Sequence, residues 1–309
     1  MTTFRKTLLA SAAVLAVGLA SAPVQASTFA SSILDISNFR LLHSGGAAYS
    51  TSDFTILQGT NDAHATASLN GVFAAGASSI PILTGTPNVA HQCVGGGCPV
   101  LGNNNFNPFP SPPPVPGSFG YADQDLSGAA IVINGNPAGA HARTRADAST
   151  ATNAIASGNS DVGTSTTFAF TLGASDTMQI AFDAKPYTQV YVSPGSGPDA
   201  NANARLSWSI NIINLSTGTS VFTYAPGALN ADSVLSRTDG SPGILTYAPA
   251  FAAFGGLTPL LVAGTTYQIT IQHNTLANTL QQELPEPDSV AVLAVGLLAM
   301  SAALRRRKS

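Results

Sequence analysis

Apolar residues recur at every second position over much of this chain. Phe168, Phe170 and Leu172 share one phase while Ala169 and Thr171 hold the other. Met178, Ile180 and Phe182 alternate with Gln179, Ala181 and Asp183, and Leu206, Trp208, Ile210 and Ile212 alternate with Ser207, Ser209 and Asn211. Tyr267, Ile269 and Ile271 do the same against Thr266, Gln268, Thr270 and Gln272. A period of two, bounded by Gly, Pro and Asn, predicts half-buried antiparallel strands. Further strands are expected at 33–42, 54–57, 64–72, 129–133, 189–192 and 220–224. The punctuating runs Pro194-Gly195-Ser196-Gly197-Pro198, Ser216-Thr217-Gly218, Pro226-Gly227 and Asp239-Gly240-Ser241-Pro242-Gly243 read as hairpin turns and crossings between sheets.

About ten short strands without intervening helices favour two packed antiparallel sheets, an all-β sandwich of jelly-roll or immunoglobulin-like kind. Helical periods are absent outside the two ends. The sandwich is expected over residues 27–283, a size that one all-β unit can reach.

One stretch breaks the rhythm, residues 84–120. It holds Cys93-Val94-Gly95-Gly96-Gly97-Cys98, three asparagines at 103–105 and six prolines within FNPFPSPPPVPG. So many prolines cannot donate a strand ladder, so extended, polyproline-like chain is expected. The segment reads either as a linker after a small N-terminal unit or as a long loop from one sandwich. The loop fits better, because 27–83 offers only three or four strands and would make a thin core alone.

The ends speak of address. Arg5 and Lys6 precede a small-apolar run from Leu8 to Ala20, and Val24-Gln25-Ala26 fits the small-x-small cleavage pattern of a secretory signal peptide. Residues 1–26 are therefore expected to be removed between Ala26 and Ser27. At the other end Pro285, Glu286 and Pro287 form a stiff spacer, followed by an uncharged run read as a transmembrane helix over 289–304 and then by Arg305, Arg306, Arg307 and Lys308. The fifteen residues from Val290 to Leu304 span roughly 22 Å against a hydrocarbon core of ~30 Å, a marginal anchor. Its basic end is retained in the cytoplasm, which places everything upstream on the outer side.

This order of motif, apolar run and basic cluster over 284–309 resembles the PEP-CTERM sorting signal of Gram-negative bacteria, which is processed by the membrane protease-transpeptidase exosortase. The LPxTG signal of sortases also begins Leu-Pro, but Pro287 and Asp288 stand here where it requires Thr and Gly. The resemblance implies passage across the inner membrane, exosortase as processing partner, and a cell-surface or extracellular-matrix destination among exopolysaccharide or biofilm. A structural or adhesive role is the function it implies. A lectin-like carbohydrate-binding module and an extracellular glycan hydrolase are the alternatives.

Charge narrows the classes further. Between 27 and 283 the basic residues are Arg40, Arg143, Arg145, Lys185, Arg205 and Arg237, six against thirteen acids, a net charge of −7. That argues against nucleic acid or anionic lipid as a partner, both of which need a concentrated positive field.

Candidate chemistry is thin. Cys93 and Cys98, the two cysteines, are expected to form a small disulfide ring in an oxidising compartment. With His91 they would make a metal site of unusual spacing, and no metal or other cofactor is assigned. Asp123 and Asp125 lack the Gly and Glu that complete a calcium loop. His43, His64, His141 and His273 stand isolated, and no catalytic motif is found, so no catalytic residue is assigned. The phase of Trp208, with Leu206 and Ile210, places it in the core rather than on a sugar-stacking surface.

Overall fold

The structure, a computed structural model, describes residues 27–99, 101–110, 117–151, 153–162 and 166–281. Both helices expected at the termini, the sorting motif and the prolines within 111–116 lie outside the described residues. Among the described residues no helix is long and apolar enough to cross a membrane.

The described chain is an antiparallel β-sandwich. Its strands are β1 (Thr28–Leu42), β2 (Phe54–Leu69), β3 (Val72–Pro81), β4 (Gln92–Val94), β5 (Phe119–Ser127), β6 (Ala140–Thr150), β7 (Ala154–Val162) and β8 (Thr166–Leu172), followed by β9 (Asp176–Val192), β10 (Asn201–Asn214), β11 (Thr219–Tyr224), β12 (Leu235–Thr238), β13 (Gly243–Tyr247), β14 (Ala252–Leu261) and β15 (Thr266–Gln281). One sheet runs β13-β9-β1-β6-β5-β4, with β14 also on β9. The other runs β11-β10-β15-β7-β2-β3, with β12 on β10 and β8 bridging β15 and β2. Strands from before and after the proline-rich segment therefore share both sheets.

Alternation explains the inner faces. In β10, Ala202, Ala204, Leu206, Trp208, Ile210 and Ile212 are all buried, and each is flanked by less buried neighbours. At one end of the sandwich these residues meet large side chains. Phe182 lies between Trp208 at 4.5 Å and Phe254 at 5.4 Å between ring centroids. At the other end the inter-sheet layer is built from Ala30, Ala146, Ala148, Ala156, Ala202 and Ala277. There the backbones come so close that a Cβ on Gly158 would lie 2.0 Å from the Tyr121 carbonyl oxygen, and one on Gly120 would lie 2.2 Å from that of Ser157. The sandwich is thus a wedge, thick where Phe and Trp fill it and thin where Ala and Gly do.

Three local devices keep the long strands in register. Asn38, with φ of 54°, forms a bulge in β1, where the pairing skips from Ser37 to Arg40. The bulge shifts the phase by one, so Leu34 and Ile36 before it and Phe39 and Leu41 after it all reach the same core. Pro186 sits in the middle of β9, and its missing N–H falls in the gap between the last residue paired to β14, Ala184, and the first paired to β13, Thr188. Asn70 and Gly71, with φ of 50° and 80°, turn β2 into β3 as a tight hairpin.

Several expected boundaries move. Segments 54–57 and 64–72 belong to one sixteen-residue strand, β2, that ends before the Asn70-Gly71 turn. The 178–183 and 189–192 segments likewise merge into β9, because Pro186 is tolerated there. Residues 129–133 form no strand; Val132 and Ile133 make isolated bridges to Ser50 and Asn136. The 84–120 segment does contribute to a ladder: β4 pairs with Gly120 to Ala122 of β5, at the sheet edge where proline-rich chain can approach without interrupting interior pairings.

Candidate functional site

The proline-rich segment crosses the outer face of the first sheet, where a cluster of charged residues holds its described part, residues 101–110. Strand alternation puts Arg143, Arg145 and Asp147 of β6 on that outer face, beside Tyr121, Asp123 and Asp125 of β5. Arg145 donates from Nε to Asp147 Oδ2 at 2.5 Å and from Nη1 to the backbone carbonyls of Asn105 and Asn107 at 2.9 and 2.8 Å. Its guanidinium lies 4.6 Å from the Phe109 ring centroid and 5.6 Å from that of Tyr121. Arg143 repeats the arrangement one pleat away, donating to Asp125 at 2.6 Å and lying 4.7 Å from the Phe106 ring. Asp123 accepts from the Asn104 backbone N–H at 2.8 Å and from the Tyr121 hydroxyl at 3.1 Å. Burial pushes the Asp123 carboxyl above its ordinary range against these bonds, and it pushes the Tyr121 hydroxyl well up.

Cys93 and Cys98 are joined by a disulfide, S–S 2.09 Å, beside Phe29, Phe119, Tyr121 and Phe109. The sulfurs are therefore not thiolate ligands. His91 stacks on Tyr121, with centroids 5.5 Å apart, and its ring is hydrogen-bonded to Asn103. Among the described residues no group of three or more His, Cys, Asp or Glu is arranged to hold a metal ion. Chemically this cluster is a staple for the proline-rich strap: Arg145 Nη1 and Asp123 Oδ2 bond its backbone, and the two guanidinium groups lie against its Phe106 and Phe109 rings.

A second cluster surrounds His43 at the end of β1. Its Nδ1 lies 2.8 Å from Asp176 Oδ2 and its Nε2 3.4 Å from Asp53 Oδ2. Tyr49 packs against the ring at a tilt, with centroids 3.8 Å apart, and donates its hydroxyl to Asp176 at 3.0 Å. Burial works against the Asp176 carboxylate, but the hydrogen bonds from His43, Ser44, Tyr49 and the Thr177 N–H hold it down at about 2. The ring is thus held between two carboxylates from different parts of the chain, with Nδ1 making the shorter contact. The cluster lines a pocket of about 300 Å³ together with Ser52, Gly173 and Ser175. Asp53 and Asp176 lie more than a hundred residues apart in the chain, so no local motif could have marked them.

The other singled-out residues are scattered. Ser27 is tied into the sheet, its N–H donating to Ser193 Oγ at 2.7 Å and its carbonyl accepting from the Ser193 N–H at 2.9 Å. His141 binds Asp35 at 2.7 Å. Trp208 is 1 % exposed, inside the core where its phase predicts it. His273 is also buried, on the inner face of β15. Extending the alternation of Tyr267, Ile269 and Ile271 by one step would have placed it there. Ala26, Pro285, Glu286, Pro287, Arg305, Arg306, Arg307 and Lys308 lie outside the described residues. Comparisons with protein-family models, with curated proteins and with solved structures found no match.

Proposed function

We propose that this chain is an exported protein delivered by an exosortase-read tail to the cell surface or extracellular matrix, where it serves as a structural or adhesive component without turning over a substrate. The sorting half of the reading rests on the tail motif of residues 285–308. It is supported by the position of the last described strand: β15 ends at Gln281, so a cut near Pro285 would leave every described strand intact. The adhesive half rests on one edge. β13 and β14 form the outer border of the first sheet, and from Gly240 to Gln282 the chain has no Asp, Glu, Lys or Arg. Phe251, Leu257, Leu260 and Val262 are each half or more exposed along it. Soluble proteins commonly guard such borders with charge, Pro or bulges; here only Pro259 and the irregularity between Leu257 and Leu260 do so, and the uncharged stretch before them suits pairing with a second copy of the chain.

Two measurements test this. In an exosortase-bearing Gram-negative host, mass spectrometry of the released form should find a C-terminus near 285–287, and full-length termini alone would overturn the sorting half. Sedimentation of the released protein should show self-association that Leu257→Lys weakens at least tenfold, and a monomer at all concentrations would overturn the adhesive half. A second reading, carbohydrate binding, is favoured only by the hydroxyl- and carboxylate-lined pocket at His43. Glycan binding abolished by Asp53→Asn would promote it.

A further inference from the structure

Between the two sheets, at the thick end of the wedge, the core leaves a cavity of about 100 Å³. Phe39, Phe168, Trp208 and Ile271 give it apolar walls, and Leu83, 40 % exposed, carries one wall to the surface. Natural cores contain few voids larger than a water molecule. His273 also lines it, and this residue is 2 % exposed. Its Nε2 has no hydrogen-bond partner. The ring is bonded to the Leu34 backbone, an interaction that favours its protonated form and so is a donation to the carbonyl from the other nitrogen, Nδ1. Burial nevertheless holds the imidazole's pKa down at about 3, so it is neutral at physiological pH. Nε2 is left as a bare acceptor in an apolar surround. Orphaned buried acceptors are uncommon in native proteins and call for a partner.

A water molecule fits poorly, because it needs two to four polar partners, and the polar side chains of this lining are His273 and Asn61, the latter already donating to the Gly85 carbonyl at 3.3 Å. We propose that the cavity is a binding site for a small apolar molecule bearing a single hydroxyl, of the size and class of a phenol or a short alcohol, whose O–H donates to His273 Nε2. The volume is of the right order: a cavity of about 150 Å³ lined by aliphatic and aromatic side chains accepts benzene, and this one, at about 100 Å³, is smaller but reaches the surface beside Leu83. The hydroxyl supplies selectivity, because an isosteric hydrocarbon would leave Nε2 unpaired. This site is independent of the tail and of the β13–β14 edge.

Titration calorimetry on the full-length chain, with phenol and toluene as matched probes, tests it. Phenol should bind about tenfold tighter than toluene, equivalent to ~1.4 kcal/mol. His273→Leu should bring the two within about twofold while keeping toluene binding. Should that variant fail to fold, the wild-type protein still decides: with ¹⁵N-labelled histidine, the Nε2 resonance should move on adding phenol and stay in place with toluene. Equal affinities for the two probes, no binding of either at millimolar concentration, or an unmoved Nε2 resonance would each overturn the proposal.

Discussion

Arg145 and Asp147 stand two residues apart on one face of β6, joined at 2.5 Å, and both are wholly excluded from solvent. Two residues apart on a strand is same-face spacing, so the pair is formed by local geometry. The strap laid over it, through Asn105, Asn107 and Phe109, is what removes it from water.

Breaking that pair from one side should be costly. Arg145→Met strands the Asp147 carboxylate in the interior and should lower unfolding free energy by about 3–5 kcal/mol in denaturant titrations. The double variant Arg145→Met, Asp147→Leu should recover most of the loss. Hydrogen exchange should quicken at residues 101–110 in both, since the guanidinium that holds their carbonyls is gone.

Gly158 has no room for a side chain. A Cβ there would lie 2.0 Å from the Tyr121 carbonyl oxygen and 2.8 Å from that of Asp147. These are backbone atoms that cannot swing aside, so Gly158→Ala should cost at least ~3 kcal/mol, the upper end of overpacking penalties. Gly45→Ala, with nothing within 4 Å of the added Cβ, is the control and should be near neutral in the same thermal melts.

The Asp176 carboxylate gives the fold an acid limit. Its pKa drops from 3.8 to about 2 in the folded protein. A depressed carboxylate contributes stability that is fully present above the unfolded value and is lost as pH falls through the folded one. The stability gap between wild type and Asp176→Asn should therefore be constant above roughly pH 5 and close between about pH 4 and pH 2. An unchanged gap at pH 2 would show that His43 and Tyr49 do not favour the ionised form.

Reducing the Cys93–Cys98 bridge should act locally. The ring encloses four residues, for which the chain-entropy model gives only about 2 kcal/mol. Native protein should titrate no free thiol, and reduction should quicken exchange around β4 while leaving a cooperative melt. Global unfolding on reduction would mean that the strap carries the sheet rather than the reverse.

Strand phase was legible in the residues themselves. Leu206, Trp208, Ile210 and Ile212 face inward because side chains alternate along any strand, a property of the backbone that needs no knowledge of neighbours. The same rule hid Ile36 and Phe39 from a single-phase reading, since the one-residue bulge at Asn38 depends on how β1 meets β9. The Asn70-Gly71 dipeptide is itself a hairpin signal, and it lies inside the expected strand 64–72, which therefore ends at Leu69. What tertiary structure alone decided is which outward face would be covered. Arg145 looks like any exposed strand arginine until residues 38 and 40 positions away lie across it. Burial on a strand's second face depends on distant chain, and the alternation that predicts a strand says nothing about what will come to rest on its polar side.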